Sequence, residues 1–218
     1  MGDRLSHSLA RCEQVTPEID ILVSEVGPRD GLQSIKRAMP TAIKHRWIAA
    51  LAGAGLREIE VGSFVSAKLL PQMADAEEVV KEAVKVLGLT VLALVPNLRG
   101  AERAIAAGVH KLTVPTSASR EHSMANVRKT SEESIGEVRK IAQLCETLRE
   151  GRRPVVEAGI STAFGCSLQG VVSEDWVVEM AGLLVEAGAQ SVGLSDSVGY
   201  ANPAQVKRMF TRLKREIG

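Results

Sequence analysis

An alanine–glycine pair recurs along this chain at one structural phase: Ala54-Gly55, Ala107-Gly108 and Ala187-Gly188. Each pair closes a stretch whose apolar residues fall at helical spacing, and each precedes a short apolar run by a few residues. Glycine is the usual residue just past a helix end, and a short apolar run bounded by turn signals reads as a buried strand. The chain then parses as a series of strand–helix units. Strands are expected at 19–26, 57–61, 89–95, 111–114, 154–160 and 191–194. Helices are expected at 41–54, 75–86, 99–107, 132–150, 174–187 and 203–216, the last with Asn202 as cap and Pro203 in its first turn. Residues 116–130 read as a polar loop, residues 1–18 as a lead-in, and 19–218 as one domain. With no hairpin signals between strands, the sheet is parallel. Right-handed crossovers then leave an open doubly wound sheet or a barrel.

Composition narrows the function more than the fold. Only 3% of residues are aromatic while 45% are hydrophobic, so the core is built from Ala, Val, Leu and Ile. That suits helices packed on a parallel sheet. A net charge of +1 argues against nucleic acid, which needs a concentrated basic face. No apolar stretch approaches a membrane span, and residues 1–15 lack the apolar segment of a signal peptide. Cys12, Cys145 and Cys166 have neither an even count nor metal-type spacing, which favours a reducing, cytoplasmic setting.

The chemistry points to the ends of the strands. Glu25-Val26-Gly27-Pro28-Arg29-Asp30-Gly31-Leu32-Gln33 follows the first strand, and Gly27-Pro28 stops regular pairing there. A carboxylate such as Asp30 can hold a hard cation. The Arg29 guanidinium offers a fork of donors to a carboxylate, a phosphate or an enolate oxygen. Ser63, Asn97, Ser117, Ser161 and Asp196 follow other strands. Polar residues contributed by many strand ends are the habit of a TIM barrel, and no Gly-rich dinucleotide fingerprint opens the first helix. The expected fold is therefore a (β/α)8 TIM barrel with about six βα units in this chain.

The stretch from Glu25 to Gln33 resembles the signature after the first strand of the 3-hydroxy-3-methylglutaryl-CoA lyases. So do Ile59-Glu60-Val61-Gly62-Ser63-Phe64-Val65-Ser66, Leu69–Met73, Val95–Leu98, Ser117–Thr130 and Gly193–Gly199. The resemblance implies a divalent cation, Mg2+ or Mn2+, with Asp30 as one ligand. It implies Arg29 as the stabiliser of the acetyl-CoA enolate, Glu60 and Asp196 as further catalytic residues, and Gln33 and Ser63 as substrate contacts. It also implies an acyl-CoA substrate and a homo-oligomer, most simply a dimer. Two bland readings stand beside these: Glu60 as a buried carboxylate paired with Arg29 for structure alone, and Asp196 as a cap for the helix after it.

The family's remaining metal ligands, a His-x-His pair and an asparagine, and its reactive cysteine are expected to follow Gly218, so residues 1–218 alone are expected to be inactive. His7, His45, His110 and His122 have no His-x-His spacing and read as solvated or structural, and Cys166 as a packed thiol. The alternatives are a Claisen-type acyl-CoA synthase of the same superfamily and a non-catalytic barrel remnant.

Overall fold

The computed structural model describes residues 21–218. Six strands form one parallel sheet: β1 (Ser24–Glu25), β2 (Glu58–Ser63), β3 (Thr90–Leu94), β4 (Lys111–Ser117), β5 (Val155–Ser161) and β6 (Ser191–Leu194). They lie in chain order from edge to edge, β1-β2-β3-β4-β5-β6, and every neighbouring pair is parallel. A doubly wound sheet reverses its order at a switch point. This sheet never reverses, so it winds one way, as a curled part of a (β/α)8 barrel.

Helices α1 (Thr41–Gly53), α2 (Ala76–Ala83), α3 (Leu98–Ala107), α4 (Arg120–Asn126), α5 (Ser131–Glu146), α6 (Glu174–Glu186) and α7 (Pro203–Ile217) fall between and after the strands. The core lies between helices and sheet: Ile59, Val91, Leu112, Val156 and Ile160 on strands meet Val80, Ala104, Ile141, Met180 and Leu184 on helices. The recurring glycines do what their phase implies. Gly55, Gly108 and Gly188 all have positive φ, near +98°, +93° and +100°, and turn the chain from helix back toward the sheet.

Inward and outward faces follow from the pairing. Partners across a parallel ladder point the same way, so Glu58, Thr90, Leu92, Lys111, Thr113 and Glu157 share the face opposite the helices. On that face Lys111 Nζ lies 2.9 Å from Glu58 Oε2 and 3.3 Å from Glu157 Oε2, and Ser191 Oγ donates to Glu157 Oε2 at 3.2 Å. Four strands are thus joined by one ionic cluster near their N-terminal ends. The register slips by one residue in β2, between Glu60 and Gly62.

Two expectations need correction. The first strand was expected at 19–26, but only Ser24–Glu25 pairs. Ser24 already sits opposite Glu58, the first residue of β2, so the residues before it have no ladder to join. Ile21, Leu22 and Val23 are consequently exposed, not buried. The lead-in at 1–18 and residues 19–20 lie outside the described part. The expected loop at 116–130 contains α4, started by Ser119, whose side chain accepts from His122 N at 3.1 Å. The Gly27–Gly31 segment is a single wide turn of π type, with Leu32 N donating to Gly27 O. Such turns occur often at functional sites. Among the described residues no helix is long and apolar enough to cross a membrane.

Candidate active site

The wide turn after β1 delivers Arg29 and Asp30 to the rim at the C-terminal end of the sheet. Pro28 is buried and begins the turn, and Glu25 Oε1 closes its base by accepting from Gly27 N at 2.6 Å. From there Arg29 reaches across to β2. Its Nε donates to Glu60 Oε2 at 2.6 Å, Nη2 lies 2.5 Å from the same oxygen, and Nη1 donates to Asp30 Oδ1 at 2.7 Å. A guanidinium has five N–H donors, so this grip leaves donors over for an incoming oxygen.

Glu60 is the buried partner. It is 2% exposed, and burial pushes its pKa up despite the opposing Arg29 charge and the nearby Thr113 hydroxyl, while the Asp30 charge adds to the rise. Its Oε1 is buried without a hydrogen-bond partner, and so is Thr113 Oγ1 on the adjoining inward face. A buried orphan oxygen is costly to keep unless something polar meets it. A titratable group so perturbed, beside a held cation, is typical of functional sites.

Asp30 is the outermost of the three, with its side chain 59% exposed. Its carboxylate and the unpartnered Glu60 oxygen are hard donors of the kind Mg2+ and Mn2+ take, so the chemistry fits such an ion. Among the described residues, however, no group of three His, Cys, Asp or Glu side chains could hold a metal. Asp30 can therefore supply one ligand but not a complete set.

The other expected site residues divide. Ser63 ends β2 fully buried, and its Oγ accepts from Val65 N at 3.4 Å. Gln33 is exposed and makes no hydrogen bond among the described residues. Asp196 does not cap α7, which Asn202 does by accepting from Gln205 N at 2.9 Å. Its two oxygens instead accept from Tyr200 N and Ala201 N at 2.9 and 3.0 Å, folding the loop after β6. Asn97 caps α3.

Sequence reasoning missed a second polar group at the rim, formed where β4, α4, β5 and the β6 loop meet. Thr162 is its centre. It is buried and has φ near +58°, a left-handed conformation that a β-branched residue avoids at a cost of about 1–3 kcal/mol. Hydrogen bonds hold it there: Oγ1 donates to Ser161 O at 2.6 Å and accepts from Ser119 N at 3.1 Å, and the backbone N donates to Ser197 Oγ at 2.8 Å. Ser117 Oγ lies 3.0 Å from Thr162 Oγ1 and 3.0 Å from His122 Nδ1. Only the run of serines and threonines at several strand ends hinted at this group. Cys166, just beyond, is buried, and its Sγ accepts from Leu168 N and Gln169 N at 3.3 and 3.4 Å, which agrees with a packed thiol.

A consecutively wound parallel barrel segment with ionic groups gathered at the C-terminal ends of its strands is the scaffold of a TIM-barrel enzyme. Comparison with known proteins gives the family. The HMGL-like family model matches residues 20–218, and the chain belongs to that family. It is 37% identical over 197 residues to the cytoplasmic 3-hydroxy-3-methylglutaryl-CoA lyase of Homo sapiens, covering 90% of this chain and 52% of that protein. The HMG-CoA lyase of Bacillus subtilis superposes with a TM-score of 0.82 at 36% identity, over 89% of this chain and 64% of that one. An HMG-CoA lyase from Acinetobacter baumannii, solved with coenzyme A and 3-methylmalate, gives the same TM-score at 35% identity, over 89% and 62%. The chain thus spans between about half and two thirds of the length of these relatives.

Proposed function

We propose that the protein cleaves a 3-hydroxy-3-methylglutaryl-type acyl-CoA to acetyl-CoA and acetoacetate, as a single barrel domain in the cytoplasm and as a homo-oligomer. The observation that carries this is the fixed guanidinium of Arg29, aimed by Glu60 and Asp30 at the mouth of a barrel that belongs to the HMGL-like family.

In such a cleavage the tertiary hydroxyl gives its proton to a base and becomes the ketone of acetoacetate as the adjacent carbon–carbon bond breaks. The bonding pair moves onto the thioester as an enolate, and a proton taken up at the enolate carbon gives acetyl-CoA. Arg29 supplies what the enolate needs: donors already oriented, so that little reorganisation accompanies the charge. Glu60 holds the guanidinium from Nε, and its elevated pKa leaves its free oxygen able to exchange a proton with a bound group. Asp30 would hold Mg2+ or Mn2+ together with ligands outside the described residues, and that ion would supply Lewis acidity toward the hydroxyl and carboxylate of the substrate. Ser63 and Gln33 are assigned to substrate contacts. Asp196 shapes the β6 loop on the far side of the mouth.

The test is an assay of the complete protein, with the residues that supply the remaining metal ligands in place, using 3-hydroxy-3-methylglutaryl-CoA with Mg2+ or Mn2+ supplied and following acetoacetate. Cleavage that falls at least about a hundredfold in Arg29→Gln supports the reading. Absence of cleavage by the wild-type protein overturns it.

A further inference from the structure

Proton accounting around Thr162 fixes the state of a residue to which the proposed reaction assigns no role. Three short polar contacts run in a line: Thr162 Oγ1 to Ser161 O at 2.6 Å, Ser117 Oγ to Thr162 Oγ1 at 3.0 Å, and His122 Nδ1 to Ser117 Oγ at 3.0 Å. Each hydroxyl has one proton to give, and a carbonyl has none. The Thr162 proton must go to the Ser161 carbonyl, since nothing else can fill that contact. Thr162 Oγ1 is then an acceptor, and it takes the Ser119 N–H as well as the Ser117 proton. With its proton spent, Ser117 can only accept from His122. Donation from Ser117 to Nδ1 instead would leave two oxygens with no hydrogen between them, either at the 2.6 Å Thr162–Ser161 contact or at the 3.0 Å Ser117–Thr162 contact, so only the first order fills all three contacts. The alternative acceptor for Ser117, the Ser161 carbonyl, is 3.5 Å away.

His122 therefore carries its proton on Nδ1, and Nε2 bears a free lone pair. Among the described residues Nε2 makes no hydrogen bond. The imidazole is half-buried, and burial lowers its pKa, which keeps it neutral near pH 7. Ser117, which holds the ring, ends β4 in register with Ser161 at the end of β5 and in the inward phase of Lys111 and Thr113. The ring is thus fastened at the rim of the mouth, two strands along the sheet from the strand that carries Glu60, the partner of Arg29.

We infer that His122 is a hydrogen-bond acceptor of the mouth, its Nε2 locked in the unprotonated tautomer to receive an N–H or O–H donor of the bound acyl thioester. This rests on the acyl-CoA reading above. The arrangement serves specificity: a neutral acceptor selects a donor, whereas an imidazole free to flip its tautomer would accept either kind of group.

The experiment uses the 15N-labelled protein and long-range proton–nitrogen spectra of its imidazoles. His122 should show a protonated Nδ1 and a bare Nε2, and Thr162→Val should release that preference. Titration with 3-hydroxy-3-methylglutaryl-CoA should shift the Nε2 signal. His122→Asn keeps a donor toward Ser117 but has nothing at the Nε2 position, so the thioester should bind about five- to tenfold more weakly. His122→Gln, whose amide oxygen can reach that position, should recover part of the loss. A proton on Nε2 in the wild type overturns the inference, as does a thioester that binds without moving the Nε2 signal. If no thioester binds at all, the lyase reading fails and takes the proposed ligand with it, while the tautomer result is read separately.

Discussion

Arg29 Nε and Glu60 Oε2 meet at 2.6 Å across the gap between β1 and β2, so the mouth's guanidinium is positioned by a carboxylate that is itself buried. The pair fixes direction as well as charge, because Nη1 is held by Asp30 on the other side. Arg29→Lys should then fail nearly as badly as Arg29→Gln in kcat, since an ammonium cannot span both carboxylates and still present donors to substrate. Asp30→Asn should fail differently: higher Mn2+ should restore part of the activity, as it cannot for Arg29→Gln. Steady-state kinetics across a Mn2+ series reads both outcomes. Equal rescue of the two variants would refute the division of labour.

Lys111 joins Glu58 and Glu157 inside the sheet. Burial disfavours its charge, but the two carboxylates outweigh this and raise its pKa. Lys111→Met strands both carboxylates, and breaking such a buried group should destabilise the protein by about 3 kcal/mol. Chemical denaturation at pH 7 measures it. Adding Glu58→Gln should return part of the loss, because one stranded charge is then gone.

The elements show which features a sequence can announce. β6 spans the residues that its apolar run marked, and α7 begins at the expected Asn202–Pro203 cap. Those signals are local, carried by residues within a few positions of one another. The Lys111 cluster was not legible, because its three charges and the Ser191 hydroxyl come from four strands and each charge alone reads as solvated. Nor was Thr162, since a left-handed threonine has no sequence signature and its partners lie on four different segments. α4 escaped notice because seven residues with only Ser123 buried present no apolar stripe. The pairing of Glu60 with Arg29 could be named as an alternative, but its distance and the orphan oxygen beside it required the fold.

His122 gives the stability a pH dependence with a definite sign. Its folded pKa lies below the ordinary value of 6.5, so on acidification the unfolded chain takes up the proton first. Stability should be fully present above about pH 6.5 and decline as the pH falls through the folded value. Thermal unfolding of wild type and His122→Asn at pH 7.5 and 5.5 isolates this contribution. The gap between them should narrow at the lower pH. The imidazole's one hydrogen-bond partner among the described residues is Ser117, and burial alone sets the direction of its shift.

The two described cysteines should label in a fixed order. Burial pushes the Cys145 thiol up to about 11, which leaves almost no thiolate at pH 8. Burial also disfavours the Cys166 thiolate, but the Ser119 hydroxyl and the Gln169 and Leu168 amides outweigh it and bring the pKa below the ordinary thiol value. Iodoacetamide treatment followed by peptide mass spectrometry should find Cys166 modified before Cys145 in the folded protein. Earlier labelling of Cys145 would contradict this environment.

The slipped register in β2 has a consequence for how one strand can serve two depths of the mouth. Along a regular strand Glu60 and Ser63, an odd number of residues apart, would emerge on opposite faces. The extra residue between Glu60 and Gly62 re-phases the strand, so Glu60 pairs beside Leu92 and Ser63 beside Leu94, on the same face. Gly62 is turned instead toward α2, where an added Cβ would lie 3.2 Å from that of Ala76. A single inserted position thus converts β2 from a strand that could offer the mouth one of these side chains into one that offers a deep carboxylate and a hydroxyl nearer the rim.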